Sequence, residues 1–533
     1  MTTFPKSLLT AVVKHLLRGK SLIQAILAFW ITPQPASGKS RATSTTVECS
    51  ETASSLLSID GFLKEAEDLL LGPLLNDGLP ELSNALKAQF RDKLQTSMAC
   101  MLPSYNYQLP AGHEVGQYLA VDVGGSTLRV ALVELRGREA AGRESEIKRM
   151  SSFKIDSDIR NLKGMAFFDW MAARIREMVS QGGEDPSRPM PMALAWSFPI
   201  EQTSLRGGRI HGMGKGFLAA EGLMGQDLGE VIETACAARG MNAHLRVILN
   251  DGGATLLSQA YIHPSTRFGL ILGTGVNIAA YLPVSLVGRP KFGDRPREWW
   301  DGARDVIVNT ELGMFGQGIL GVTRWDWLLK QGHPRPDFQP LEQMVSGYYL
   351  GEVVRFALVE AIRTTGVFGG VVPESLAEPY SLKSETISAI EGDSSPLFTS
   401  SIDLFASQHP SSHTPTSSDI SALRSLASFV SRRSAAIIAA CLHAVWSLRL
   451  EALGEETDEA SRQRVEEESS LVRTMVAYNG SVIECYPGYL AMCQGYVDAL
   501  VDSKERGIDL VPAKESSLLG AGVALARACD TGA

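Results

Sequence analysis

The chain has 533 residues, 44% of them hydrophobic, and a formal net charge of −9. That length exceeds the usual size of one hydrophobic core and predicts two domains, while the acidic balance and the lack of any Lys/Arg cluster interleaved with aromatics exclude a general nucleic-acid binder. The seven cysteines, Cys49, Cys100, Cys236, Cys441, Cys485, Cys493 and Cys529, are odd in number and scattered without a Cys-x-x-Cys pair. They read as the reduced thiols of an intracellular protein.

In chain order, residues 1–47 come first and stand apart, with Lys6, Lys14, Arg18, Lys20, Lys39 and Arg41 but no acid before Glu48. Two apolar runs, Leu8 to Leu17 and Leu22 to Ile31, are split by Arg18-Gly-Lys20, and Pro33 ends the second. Neither reaches the roughly 18–20 residues of a spanning helix, so the composition predicts a targeting segment or a basic helix in a membrane interface, associated with an organelle such as the mitochondrion. A plain amphipathic extension has the same composition. Residues 48–56 read as a linker, within a Ser/Thr/Ala-rich stretch that begins near residue 34.

Helix-period apolar positions follow at Phe62–Leu71 and Leu82–Met101, then strand-like runs at Tyr118–Val123, Arg129–Leu135, Met192–Phe198, Leu245–Leu249, Phe268–Leu272 and Asn277–Leu282, with a helical stretch at Phe167–Ser180. Strands paired by tight turns and then interleaved with helices predict an α/β protein with mixed sheets. Residues 384–418, rich in Ser and Thr with Pro396, Pro410 and Pro415, read as a surface insertion.

The chemistry-bearing stretches lie at strand ends. The run Tyr118-Leu-Ala-Val-Asp-Val-Gly-Gly-Ser-Thr-Leu-Arg129 delivers Asp122 into a turn of Gly124, Gly125, Ser126 and Thr127, with Arg129 beyond it. Small residues let backbone N–H groups and hydroxyls approach an anion, and the carboxylate can position a magnesium ion or its water. An ordinary β-hairpin has the same signature. Ser197 and Phe198 precede Pro199, and Lys215 follows in Gly214-Lys-Gly-Phe217. Asn250-Asp251 ends the apolar run Val247-Ile-Leu249, where open α/β sheets bind ligands. Gly273-Thr274-Gly275 is a second phosphate-type turn leading to Asn277, while Glu311 and Glu342 supply acceptors suited to vicinal hydroxyls. Each piece alone also suits a turn or a solvent-facing helix.

Their order and intervals resemble the eukaryotic hexokinase family over roughly Leu57 to Arg527, with Ser197-Phe-Pro199, Met213-Gly-Lys-Gly-Phe217 and Val345-Ser-Gly-Tyr-Tyr-Leu-Gly-Glu-Val-Val-Arg355 in the family's places. The resemblance implies a two-domain actin-like ATPase fold, a mixed sheet in each domain and a cleft between. It divides the chain into a first part of the large domain at 57–115, the small domain at 116–249, the large domain at 250–505, and a C-terminal helix returning to the small domain at 506–533. It implies MgATP and a glucose-like hexose as ligands, no nucleic acid, and Asp251 as the base that takes the proton of the sugar 6-hydroxyl, assisted by Lys215. Ser197, Phe198, Lys215, Asn250, Asn277, Glu311 and Glu342 would hold the hexose. Asp122, Gly124, Gly125, Ser126, Thr127, Arg129, Gly273, Thr274, Gly275, Ser481 and Ser517 would hold metal and nucleotide.

The chain departs from the family pattern at Thr127, where the family has asparagine, and at Gly214 and Gly252, where it has threonine. Ser516-Ser517-Leu518 replaces Gly-Ser-Gly and Asn479 replaces an aspartate; Leu518 is expected to crowd the nucleotide, and Gly252-Gly253 to loosen the turn after Asp251. Two readings follow: a hexose kinase of altered or reduced activity, or a sugar-binding homologue that acts as a regulator or glucose sensor through a protein partner.

Overall fold

A computed structural model describes residues 58–183, 185–214, 216–455, 468, 471–501 and 506–530. The predicted N-terminal segment, the linker to residue 56 and Lys215 lie outside them. Two helices open the described chain: α1 (Ile59–Leu71), capped by the Ser58 hydroxyl accepting from Gly61 N–H at 3.1 Å, and α2 (Gly78–Thr96). α2 begins four residues before the predicted Leu82 and ends before Met101, which takes a left-handed φ of 52°.

Two sheets repeat one topology. In the small lobe, β2 (Val115–Val123), β3 (Thr127–Arg136) and β4 (Ser145–Lys154) form an antiparallel meander. β5 (Met190–Trp196) and β8 (Ala243–Leu249) then add parallel to β2, giving the order β4-β3-β2-β5-β8. In the large lobe, β9 (Thr266–Leu272), β10 (Val276–Pro283) and β11 (Asp305–Asn309) form the meander, and β12 (Arg473–Asn479) and β13 (Gly507–Pro512) add parallel to β9. The short β1 (Leu102–Pro103) extends the edge beside β11, and β6 (Ile200–Gln202) with β7 (Gly208–Ile210) makes a separate hairpin.

Helices α3 (Met165–Gln181) and α4 (Leu228–Ala238) link the parallel strands of the small lobe. α5 (Asp251–Ile262) leaves β8 but packs on the large sheet, against β9, β10 and β12. In the large lobe α6 (Arg324–Gly332), α7 (Pro340–Val345) and α8 (Gly347–Thr365) precede α9 (Ser384–Gly392) and α10 (Thr399–Gln408). The 39-residue α11 (Ser417–Glu455) follows, then α12 (Tyr489–Leu500) and α13 (Ser516–Asp530), which packs back on β2, β3, β5 and β8. Each lobe's last helix thus covers the other lobe's sheet, and α5 and α13 meet through small residues, Ala254, Ala521 and Ala524 among them.

Two expectations need correction. Residues 384–418 are more than a surface insertion: α9 and α10 bury Ile387, Ile390 and Phe405 against the large-lobe core, and Thr386 and Ser401 are buried with them. The return to the small lobe starts at Ser516 rather than 506, because the apolar run after Gly507 forms β13 of the large sheet. Among the described residues α11 alone is long and apolar enough to cross a membrane, but 78% of that stretch is buried inside the fold, as befits a core helix.

Candidate functional site

The β2–β3 turn is the hairpin the sequence allowed, and its outer carbonyls are taken up by protein partners. Gly124 N–H donates to Thr127 O at 3.0 Å and closes a hairpin. The carbonyls of Gly125 and Ser126 accept from Arg160 Nη2 at 3.0 Å and Ile155 N–H at 2.8 Å, so these oxygens are drawn to protein partners. The β9–β10 turn repeats the device: Gly273 N–H donates to Gly275 O at 3.0 Å, while the carbonyls of Gly273 and Thr274 accept from Gly347 and Tyr348 N–H at the start of α8. Engaging those carbonyls makes both turns less repulsive to a phosphate.

Asp122 lies opposite Arg129 in the β2–β3 register. Arg129 donates Nε and Nη2 to Asp122 Oδ2 at 2.9 and 2.6 Å and Nη1 to Glu515 Oε2 at 2.8 Å. Burial pushes the Asp122 carboxyl above its ordinary value; Arg129 pulls it back, while the charges of Asp251 and Glu515 add to the rise. Glu515 immediately precedes α13, whose first turn holds Ser517, and Asn479 Nδ2 donates to Ala513 O at 3.0 Å, tying the β12 end to that same loop. Ser481 backs the β9–β10 turn, its N lying 3.2 Å from where a Cβ on Gly273 would stand. Leu518 does not crowd this space. It is wholly buried between α13 and α5, because the first turn of an amphipathic helix directs it inward.

Asn250 caps α5, its Oδ1 accepting from Gly253 N–H at 2.7 Å, and its Nδ2 is buried with no partner among the described residues. A buried donor of this kind suits a ligand hydroxyl. Asp251 is the first residue of α5, where the helix dipole favours an anion. The turn after it is not loose: a Cβ on Gly252 would lie 3.3 Å from both Ala279 Cβ and Ala279 N, so this glycine lets α5 seat on β10. Gly214 holds a left-handed φ of 59°, a conformation that strains threonine.

On the far wall a relay of two asparagines leads to Glu311. Asn277 Nδ2 donates to Asn309 Oδ1 at 2.7 Å, and Asn309 Nδ2 donates to Glu311 Oε1 at 2.8 Å. Glu311 sits in the left-handed region at φ 50°, ψ 54°. Burial raises its carboxyl, Asn309 lowers it, and the charge of Asp251 raises it further. Glu342, on α7, accepts at Oε2 from Val276 N–H at 3.1 Å, beside Gly275. Ser197 N–H donates to Val123 O at 3.2 Å, which sets the Ser197 loop against the end of β2.

Among the described candidates Phe198 turns away: its ring packs against Trp196 and Phe217 in the small-lobe core, since an apolar ring gains more there than in a polar cleft. Two residues were missed. Asn309, the relay between Asn277 and Glu311, lies two residues before Glu311 and drew no assignment; Glu515 carries no local signal, since its partner lies 386 residues away in sequence.

One family model described as Hexokinase matches residues 74–261 and a second, also described as Hexokinase, matches residues 267–527. The chain belongs to the hexokinase family. Hexokinase-2 of Candida albicans is 30% identical over 433 residues, spanning 79% of this chain and 83% of the relative. Hexokinase-1 of Nicotiana tabacum is 32% identical over 300 residues, covering 55% of this chain but only 58% of that relative's length. The hexokinase from Schistosoma mansoni complexed with glucose superposes with a TM-score of 0.70 at 25% identity, over 88% of this chain and 100% of that one. The hexokinase fold, with a mixed sheet in each of two lobes, is therefore the fold of this chain.

Proposed function

We propose that this hexokinase-family protein transfers the γ-phosphoryl group of MgATP to the 6-hydroxyl of a glucose-like hexose. One observation carries the reading: beside Asp251 at the start of α5, the Asn250 Nδ2–H is buried with no partner among the described residues, which supports a ligand hydroxyl held next to the Asp251 carboxylate. In this reading Asp251 accepts the hydroxyl proton as the oxygen attacks phosphorus. The Asn250 Nδ2–H, Asn277, Glu311, Glu342 and Ser197, with Lys215, hold the hydroxyls. Asp122, Arg129 and the two engaged turns, with Ser481 and Ser517, face the nucleotide. MgATP supplies the phosphoryl group and a divalent charge. The ion would be carried by phosphate oxygens of the nucleotide, with Asp122 as the protein's contribution.

The test uses the full chain in a coupled assay for glucose-6-phosphate, beside Asp251→Ala, with glucose binding followed by calorimetry. A loss of about 10²–10⁴-fold in turnover with retained glucose binding is expected. Equal product formation by both proteins would overturn the reading. A second reading, a sugar-binding regulator of low turnover, is favoured by the engagement of Arg129 by two carboxylates and by Thr127; it requires tight glucose binding with negligible product. We further propose that residues 1–47 address the protein to an organelle surface. A fluorescent fusion of those residues that stays diffuse would defeat that.

A further inference from the structure

We propose that α9 is a strap behind the β9–β10 turn and that Glu391, at its far end, is a positioning residue for the nucleotide phosphates. The inference rests on the nucleotide reading above. The turn has two backing walls, and α9 is fastened to both. At its start, Ser384 Oγ donates to Gly347 O and accepts from Gly351 N–H at 3.0 Å. Gly347 opens α8 and its N–H donates to Gly273 O at 2.8 Å, so this end of the strap reaches the turn through one residue.

At the other end, Tyr486 donates its hydroxyl to Glu391 Oε1 at 2.5 Å. A Cβ on Gly392 would stand 3.0 Å from Pro487 Cγ, so the last turn of α9 lies directly against this segment. Tyr486 N–H donates to Val482 O at 3.1 Å and closes the short helix Ser481–Cys485, whose first residue backs Gly273. The two walls touch as well: a Cβ on Gly347 would lie 2.9 Å from both Gly273 O and Val482 Cγ2. A shift of the Tyr486 anchor therefore reaches the turn through atoms already in contact.

The charge of this anchor changes near neutrality. Burial pushes the Glu391 carboxyl up to about 7, against the pull of Tyr486, Ser431 and Arg424. Ser431 and Arg424 act on it from α11, the Ser431 hydroxyl lying 3.1 and 3.3 Å from its two oxygens. Burial and the Glu391 charge hold the Tyr486 hydroxyl well above its ordinary value, so it remains the donor. Neighbouring charges are engaged elsewhere. Glu352 and Arg355 of α8 pair with each other, Asp393 accepts from Ser395 and from Ser401 of α10, and Glu484 accepts from Gly480 N–H. Glu385 of α9 and Asp403 of α10 are exposed. Once ionised, Glu391 accepts charge-assisted hydrogen bonds, roughly twice as strong as neutral ones. Glu391→Gln fixes the anchor in a neutral form.

The experiment measures binding of the magnesium complex of β,γ-imido-ATP to the full chain by calorimetry at pH 6 and pH 8, beside glucose binding. At pH 8 Glu391→Gln is expected to weaken analogue binding about 3-fold and Tyr486→Phe about 5-fold or more, with glucose affinity unchanged. At pH 6, where the parent carboxyl is itself neutral, the Glu391→Gln difference is expected to vanish and that of Tyr486→Phe to persist. The double variant is expected to bind no more weakly than Tyr486→Phe alone. Urea unfolding supplies the control: Glu391→Gln removes a buried charge, so at pH 8 it is expected to be more stable than the parent while binding the analogue less well. A loosened fold would not give that combination. A Glu391→Gln effect of equal size at both pH values, effects of the two substitutions that multiply, or variants that bind the analogue as the parent does would overturn the strap alone. A parent that binds no analogue defeats the nucleotide reading and the strap with it.

Discussion

Arg129 and Asp122 face one another across the β2–β3 pair, and two guanidinium hydrogen bonds converge on a single carboxylate oxygen, Asp122 Oδ2. The arginine therefore positions the acid, and in the proposed reading that acid faces the nucleotide. Arg129→Met leaves a buried carboxylate without its partner, and burial then raises its carboxyl unopposed by that cation. The expected result is a rise of about 10-fold or more in the KM for ATP and a loss on the order of 2 kcal/mol in stability, with glucose affinity unchanged. Steady-state kinetics and denaturant unfolding measure these. An unchanged ATP KM would refute the role.

Asn309 works at one remove. It accepts from Asn277 and donates to Glu311, holding the glutamate where its backbone is strained in the left-handed region. Asn309→Ala removes a hydrogen bond to a charged group, so glucose affinity should fall roughly 10-fold while the fold persists. Calorimetry with circular dichroism separates the two effects, and wild-type affinity in the variant would show that Glu311 is held by other means.

The sequence made both glycine turns legible, because strand ends running into small residues need only local signals. The architecture that pairs them was less so: β2–β3 and β9–β10 occupy equivalent places in two copies of one topology, yet Gly124-Gly125-Ser126 and Gly273-Thr274-Gly275 share little beyond glycine. Asn277 and Glu311 are joined through Asn309, Asn250 and Asp251 open α5, and Glu342 in the first turn of α7 bonds Val276 N–H, so the structure ties these residues to strand and helix ends in pairs and short relays. Glu515 escaped because a long-range ion pair leaves no trace in spacing. Leu518 and Gly252 were misjudged for one reason: side-chain direction in a helix's first turn depends on what packs against it, here α5 against α13 and α5 against β10.

Gly252 gives a sharp test of that packing. Restoring the family's threonine would place a Cβ 3.3 Å from Ala279 Cβ and N before any further atoms are added. Gly252→Thr is expected to destabilise the protein by about 1–3 kcal/mol and to leave turnover unimproved. Thermal unfolding beside the coupled assay decides it. A gain in turnover at equal stability would mean that the glycine reflects loss of function instead of close helix–sheet contact.

The most distinctive pH dependence lies away from the cleft, at Glu391 of α9. Burial raises its carboxyl to about 7, although Tyr486 and Ser431 donate their hydroxyls to it and the charge of Arg424 opposes the rise. Above about pH 7 the folded protein carries this buried carboxylate ionised, and the full penalty is present. Between that value and the ordinary 4.5 the folded state holds a proton that the unfolded chain has released, so stability increases as pH falls. Below 4.5 both states are protonated and the penalty is gone. Glu391→Gln keeps a carbonyl for Tyr486 without the charge. It should be more stable than the parent at pH 8 by on the order of 2 kcal/mol, with the difference shrinking through pH 7 and closing towards pH 4.5. Urea unfolding at pH 8, 6 and 5 reads this directly. A difference that stays constant across the three would show that Glu391 does not titrate between folded and unfolded states.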